Sequence, residues 1–175
     1  MELIFWTAAR ASDAVRLGPG IVTKDSWLTF RQAKTGGEVS IPYARSLPEF
    51  ACGMGTDLTL LKSAIAAAPR HMTWLVTAHG KARSVKTFSS WFAGAAAAGG
   101  AEGKSAHGLR KSRAMALAEA GATAHKIAAW SGHESLSEMQ RYSKAADRKR
   151  ILSSTDRERK LETDPAQTGN RIVNE

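Results

Sequence analysis

The spacing of apolar and polar positions divides the chain into short elements. The opening ELIFWTAA reads as the end of an apolar helix, and ASDAVRLG as a second short helix closed by Gly18. Thr29 and Phe30 on one side of KTGGE, with Val39 and Ile41 on the other, predict an antiparallel hairpin with a glycine-containing loop. Pro42 and Pro48 then interrupt regular structure. Thr56 is placed to cap a helix through about Ala67, with Leu58, Leu61 and Ile65 at helical spacing. TWLVT reads as a third strand. Ser84 is a cap for a helix whose Val85, Phe88, Trp91 and Phe92 form one apolar stripe, a core face. Gly99, Gly100 and Gly103 make a flexible link.

The second half is more regular. Ser105 is placed to cap a helix that ends at Gly121 and carries His107 and Arg110 three residues apart, on one face. A short helix from about Thr123 to Trp130 leads to a turn at Ser131-Gly132. Another helix spans Ser135 to Tyr142, with Lys144 to Ile151 as its continuation or successor. From Ser153 onward the chain is polar and without periodicity. The pattern predicts a mainly α protein with a small antiparallel β-sheet (α+β), one domain over 1–152 and a polar tail over 153–175. No internal repeat is visible.

Composition narrows the class. A length of 175 residues with 43% hydrophobic content suits one domain with a core of its own. No apolar run approaches the roughly 20 residues of a membrane span, and MELIFWTAAR lacks the basic start and apolar centre of a secretory signal. Cys52 is the sole cysteine, so no intrachain disulfide can form and a cytoplasmic setting is expected. Formal net charge is +9, and residues 81–150 concentrate it, with 13 Lys/Arg against 5 Asp/Glu. That excess lies in the segment holding HGLR and GH, which points to a polyanionic partner.

The chemistry is carried by an ordered set: His107-Gly108-Leu109-Arg110, then Gly132-His133, then Tyr142 nine residues later. A phenol with a pKa near 10 becomes a nucleophile only where cations and a base favour it and the charge gathering on phosphorus. A His, an Arg, a second His and a Tyr are what phosphodiester transfer to tyrosine requires. His71, His79 and His125 read as structural residues, and no Cys/His cluster has zinc-like spacing.

This stretch resembles the catalytic half of the tyrosine recombinases, the phage-integrase family, whose pattern runs H-x-x-R, G-H, Y. TAARASDAVRL resembles that family's first arginine box, T-G-L-R-x-x-E, with Arg10 and Asp13 at its polar positions and Ala8 or Ala9 where the glycine usually stands. LTFRQAKTGGEVSIP resembles the hairpin bearing the family's lysine, here Lys34. The resemblance runs from about Phe5 to Lys144. It implies the integrase catalytic fold, double-stranded DNA as partner and a homo-oligomer, tetrameric in the synapse. It implies site-specific strand cleavage and rejoining through a 3′-phosphotyrosyl intermediate, without metal or other cofactor.

By that resemblance Arg10 and Arg110 clamp the non-bridging oxygens, and Asp13 holds the Arg10 guanidinium. His107 exchanges a proton with the tyrosine or orients the phosphate. His133 donates to a non-bridging oxygen, Lys34 protonates the leaving 5′-oxygen, and Tyr142 attacks. Tyr43, the other tyrosine, follows a strand and a proline and reads as structural. Ser131 replaces the usual Leu before Gly-His, and Gly108 the usual Asp or Asn after the first His. About nine residues precede Arg10, fewer than the family's catalytic domain carries there, so an N-terminally truncated domain is expected. The tail from 153 is expected to be disordered or to dock on a neighbouring protomer. Two other functions remain open at this point: a non-catalytic DNA-binding remnant of a mobile element, and a nicking enzyme like the type IB topoisomerases.

Overall fold

The computed structural model describes residues 1–162. Along them run α1 (Glu2–Thr7), α2 (Ala11–Ala14), β1 (Trp27–Arg31), β2 (Glu38–Pro42), α3 (Gly55–Ala66), α4 (Val85–Ala98), α5 (Ala106–Glu119), α6 (Ala124–Ser131) and α7 (Leu136–Glu162). The protein is mainly helical, with one small antiparallel hairpin of β1 and β2. Trp27 pairs with Pro42 and Arg31 with Glu38, a register that turns Leu28, Phe30, Val39 and Ile41 inward. Three helices start where a hydroxyl marks them. Ser84 accepts from the Thr87 amide, Ser105 from Gly108 and Thr123 from Lys126.

The core gathers around α1, which packs against α3 and α5, while α5 and α6 pack against α7. Trp6 and Trp130 meet edge to face, their ring centres 5.2 Å apart. The Trp6 indole N–H donates to the Pro42 carbonyl at 3.0 Å, and that of Trp130 to the Trp6 carbonyl at 2.8 Å. Two buried polar tips are thus satisfied while α1, β2 and α6 are tied together. Arg113 is fully buried beside them, its guanidinium 4.5 Å from the Trp6 ring centre and its Nη1 2.7 Å from Asp57 Oδ2. Burial lowers the pKa of Arg113 and the Asp57 bond opposes that shift. The ion pair and the aromatic faces are what make an interior cation tolerable.

Two expectations fail here. TWLVT is not a strand: only Val76 bridges Ala82, and the Trp74 amide donates to the Leu17 carbonyl at 2.9 Å. The segment instead lies against the Gly18 backbone, where an added Cβ would come within 1.9 Å of the Met72 carbonyl oxygen. Thr56 does not cap α3; the helix begins at Gly55 with no side-chain cap, and first-turn Asp57 is committed to Arg113. Helix α7 runs on past 153 to Glu162. The remainder of the expected tail lies outside the described residues.

Candidate active site

Arg110 faces inward from the second turn of α5 and is only 3% exposed. Its Nη1 donates to the carbonyl of Ala8, and its Nη2 lies 3.1 Å from His133 Nε2. Ala8 ends α1 in a left-handed conformation, φ 50° and ψ 26°. Alanine takes that conformation at a cost of about 1 kcal/mol relative to glycine. Ala8, rather than Ala9, therefore occupies the position where a glycine is natural. In that conformation the Ala8 carbonyl accepts from Arg110 of α5.

His133 is held through both ring nitrogens. Nδ1 lies 2.6 Å from Ser131 Oγ, and that hydroxyl donates to the Ile127 carbonyl at 2.6 Å. With its proton committed to Ile127, Ser131 must accept from Nδ1–H. A guanidinium only donates, so Nε2 must accept from Arg110. The ring is therefore neutral, protonated at Nδ1. Burial, reinforced by the Arg110 charge, lowers its pKa to about 4. Its outward nitrogen is already an acceptor that steers the Arg110 fork. Gly132, left-handed at φ +66°, makes the corner possible, since a Cβ there would meet Gln32 Nε2 at 2.3 Å and Val39 Cγ2 at 2.5 Å.

Tyr142 reaches the same place from α7, where His107, Arg110, His133, Glu138 and Tyr142 line one narrow crevice. Its hydroxyl donates to Glu138 Oε1 at 3.0 Å. Burial first, then the bond to Glu138 and its charge, raise the Tyr142 pKa. His107 is exposed at the mouth, on the first turn of α5. Arg110 is buried, and desolvation followed by the Arg10 charge pushes its pKa down to about 10, still well above neutrality.

Arg10 stands beside this group. Its charge depresses the pKa of both Arg110 and His133, and its Nη1 is buried without a hydrogen-bond partner. Asp13 does not hold it. Arg10 lies outside α2 in extended conformation, so one-turn helical geometry does not apply to the pair. Asp13 Oδ1 instead accepts from the Ala33 amide at 2.7 Å. That bond and the one from Gln32 Nε2 to the Ser131 carbonyl, 3.3 Å, fasten the β1–β2 turn on two sides. Lys34 projects from this turn, exposed and without a hydrogen bond or ion pair to a described residue. It does not line the crevice. The structure thus brings His107, Arg110, His133 and Tyr142 together, sets Arg10 beside them and leaves Lys34 apart.

The model of the phage integrase family matches residues 1–149, most of the chain. The chain belongs to that family. Among solved structures, a lambda integrase(75-356) dimer bound to a COC′ core site is similar at 21% identity and a TM-score of 0.59, covering 98% of this chain and 53% of that one. XerA recombinase is similar at 17% identity and a TM-score of 0.61, covering 88% and 55%. A lambda integrase tetramer bound to a Holliday junction is similar at 25% identity and a TM-score of 0.59, covering 81% and 40%. The chain spans about half the length of the solved structures it matches. No curated protein matches it. These likenesses establish the integrase catalytic fold.

Two residues of this integrase-family site escaped the motif reading. Glu138 lies four residues before Tyr142, one turn of α7 away, a spacing at which side chains on a helix meet. Ser131 stood out only as a lost leucine, whereas its hydroxyl selects the tautomer of His133. Among the described residues no group of three or more His, Cys, Asp or Glu side chains is placed to hold a metal ion, and no helix is long and apolar enough to cross a membrane.

Proposed function

We propose that this chain breaks and rejoins double-stranded DNA at specific sites, with Tyr142 attacking a backbone phosphate to form a 3′-phosphotyrosyl intermediate. The observation that carries this reading is the convergence of Tyr142, Arg110 and two histidines on one crevice, with Arg10 beside it holding a buried Nη1 that has no partner. A phosphate oxygen is the acceptor that this donor lacks. Arginine suits the task because it stays charged and offers a planar fork to phosphate oxygens. The reaction adds negative charge to the non-bridging oxygens, where Arg10 and Arg110 stabilise it.

The other roles follow from position. His107 sits at the mouth, next to the start of α5, whose free amides favour an anion. Neutral His133 holds the Arg110 fork in its plane. Lys34, on a hairpin fixed to the same corner, is the general acid for the 5′-oxygen once DNA lies across the turn. The phosphotyrosine conserves the energy of the phosphodiester, so no nucleotide is consumed. The similar lambda integrase structures are a dimer on a core site and a tetramer on a Holliday junction. We extend DNA binding and assembly on it, as a tetramer in the synapse, to this chain.

Tyr43 offers the internal control. It packs on the core with Lys62 5.6 Å from its ring centre, and burial raises its pKa. Incubation with nicked duplex DNA followed by denaturing electrophoresis should give a covalent protein–DNA band. Tyr142→Phe should abolish it with DNA binding almost unchanged, and Tyr43→Phe should leave it intact. A band that survives Tyr142→Phe refutes the assignment.

A further inference from the structure

We propose that Glu138 is the proton acceptor for Tyr142 during strand cleavage and returns that proton during rejoining. The inference rests on Tyr142 being the nucleophile. An ionised carboxylate only accepts, so the 3.0 Å contact between Glu138 Oε1 and the Tyr142 oxygen places the phenolic proton on the Glu138 side. The oxygen's lone pairs are left to face the crevice. No other described base is bonded to the hydroxyl: His133 Nε2 is taken by Arg110, and His107 has no hydrogen bond with a described residue.

The phenol also needs such an acceptor. Its pKa is raised, so the proton is still present at neutral pH when phosphorus arrives. Its loss then has to accompany attack. The balance is closed. The Tyr142 oxygen bonds to phosphorus as its proton passes to Oε1, and the bond from phosphorus to the 5′-oxygen breaks, that oxygen taking a proton from the general acid. In rejoining, the 5′-hydroxyl attacks and returns its proton to that acid, and the departing phenolate recovers its proton from Glu138.

A rival role would be occlusion, with the carboxylate occupying the place of the phosphate. The geometry disfavours it. Glu138 makes no hydrogen bond to the Arg110 fork, and its Oε2 is 3.9 Å from the unprotonated Nε2 of His133. Its bonded oxygen lies on the reacting atom instead. Repulsion between Glu138 and a phosphate is offset by the cations around both: Arg110 and Lys111 from α5, Arg141 on α7 and Arg10 before α2. The titratable groups facing it are His107, His133 and Tyr142.

Two measurements test this. The first needs no DNA. With tyrosine labelled at the ring carbon bearing oxygen, the two tyrosine resonances are titrated by NMR and assigned with Tyr142→Phe. Glu138→Gln should lower the Tyr142 pKa, and an unchanged value would overturn the contact. The second uses a pool of nicked duplexes of random sequence with sulfur at the 5′-bridging position, so that the leaving group needs no acid. Glu138→Gln should form covalent adduct about 10²–10⁴-fold more slowly than the wild type at pH 7. Its rate should rise tenfold per pH unit between pH 7 and 9, as ionisation of the phenol replaces the missing base, while the wild-type rate stays flat. Glu138→Asp should recover part of the rate. A Glu138→Gln variant as fast as wild type or faster, with Tyr142→Phe inactive, overturns this proposal alone. Adduct from Tyr142→Phe overturns the nucleophile assignment and this proposal together.

Discussion

Because a guanidinium can only donate, the 3.1 Å contact from Arg110 Nη2 to His133 Nε2 lasts only while that nitrogen keeps its lone pair. Protonating His133 would set two donors against each other. The pKa, lowered from about 6.5 to about 4, fixes the sign of the effect. The unfolded chain takes up the proton first, so His133 contributes stability above pH 6.5 and loses it as pH falls towards 4. At about 1.4 kcal/mol per unit, that lowering makes the loss on the order of 3 kcal/mol for this mostly buried ring. Denaturant melts of wild type and His133→Gln across pH 4–7 should therefore converge at the acid end. A constant gap between them would mean that His133 is not held neutral. At the same scale, Arg110→Lys removes a fork that touches Ala8 and His133 at once. Adduct formation should drop about 10²–10³-fold, with the fold retained by circular dichroism.

At the scale of elements, the corner between α6 and α7 positions three parts of the site. Gly132 admits the hairpin, Ser131 orients His133, and the Ser131 carbonyl receives Gln32. Gly132→Ala should destabilise the fold by about 1–3 kcal/mol, through left-handed strain and a clash with Gln32 and Val39. It should slow cleavage more than that loss of folded protein explains, which a stability-corrected rate would reveal. Lys34 tests the same linkage from the hairpin side. If it protonates the 5′-oxygen, Lys34→Ala should be slow on ordinary DNA yet near wild type on the 5′-bridging sulfur substrate, whose thiolate, with a pKa near 8.5, leaves unaided. Equal defects on both would reduce Lys34 to a phosphate contact.

Over the whole molecule, the 13 Lys/Arg against 5 Asp/Glu in residues 81–150 should make DNA affinity fall steeply with salt. The logarithm of the affinity should drop with a slope of about −0.9 per phosphate neutralised. Fluorescence anisotropy from 50 to 300 mM salt would show it, and salt-insensitive binding would count against a DNA partner. The same breadth shows what a linear reading can reach. Hydroxyl caps at Ser84 and Ser105, and the KTGGE hairpin, were legible because each signal acts within a few residues. HGLR, GH and Tyr142 were legible as an ordered motif. Hidden were the contacts set by packing: Asp57 drawn to Arg113 across the core, Asp13 to Ala33 rather than Arg10, and TWLVT kept from pairing by the Gly18 backbone. Glu138 was hidden differently, being one helical turn from Tyr142 yet belonging to no motif.

Trp130 lies three residues before His133, with its ring set edge-on at 5.2 Å from that of Trp6 and its N–H bonded to the Trp6 carbonyl. Two indoles so close and so tilted, 74° between planes, couple their electronic transitions. The pair should give a bisignate ultraviolet circular-dichroism band that vanishes in Trp6→Phe. Loosening of the α6–α7 corner should separate the two chromophores before the helices melt. The protein therefore carries an optical gauge of whether the candidate site is assembled, readable without label or substrate. In a Gly132→Ala sample that band should fade at a lower temperature than the helical signal at 222 nm.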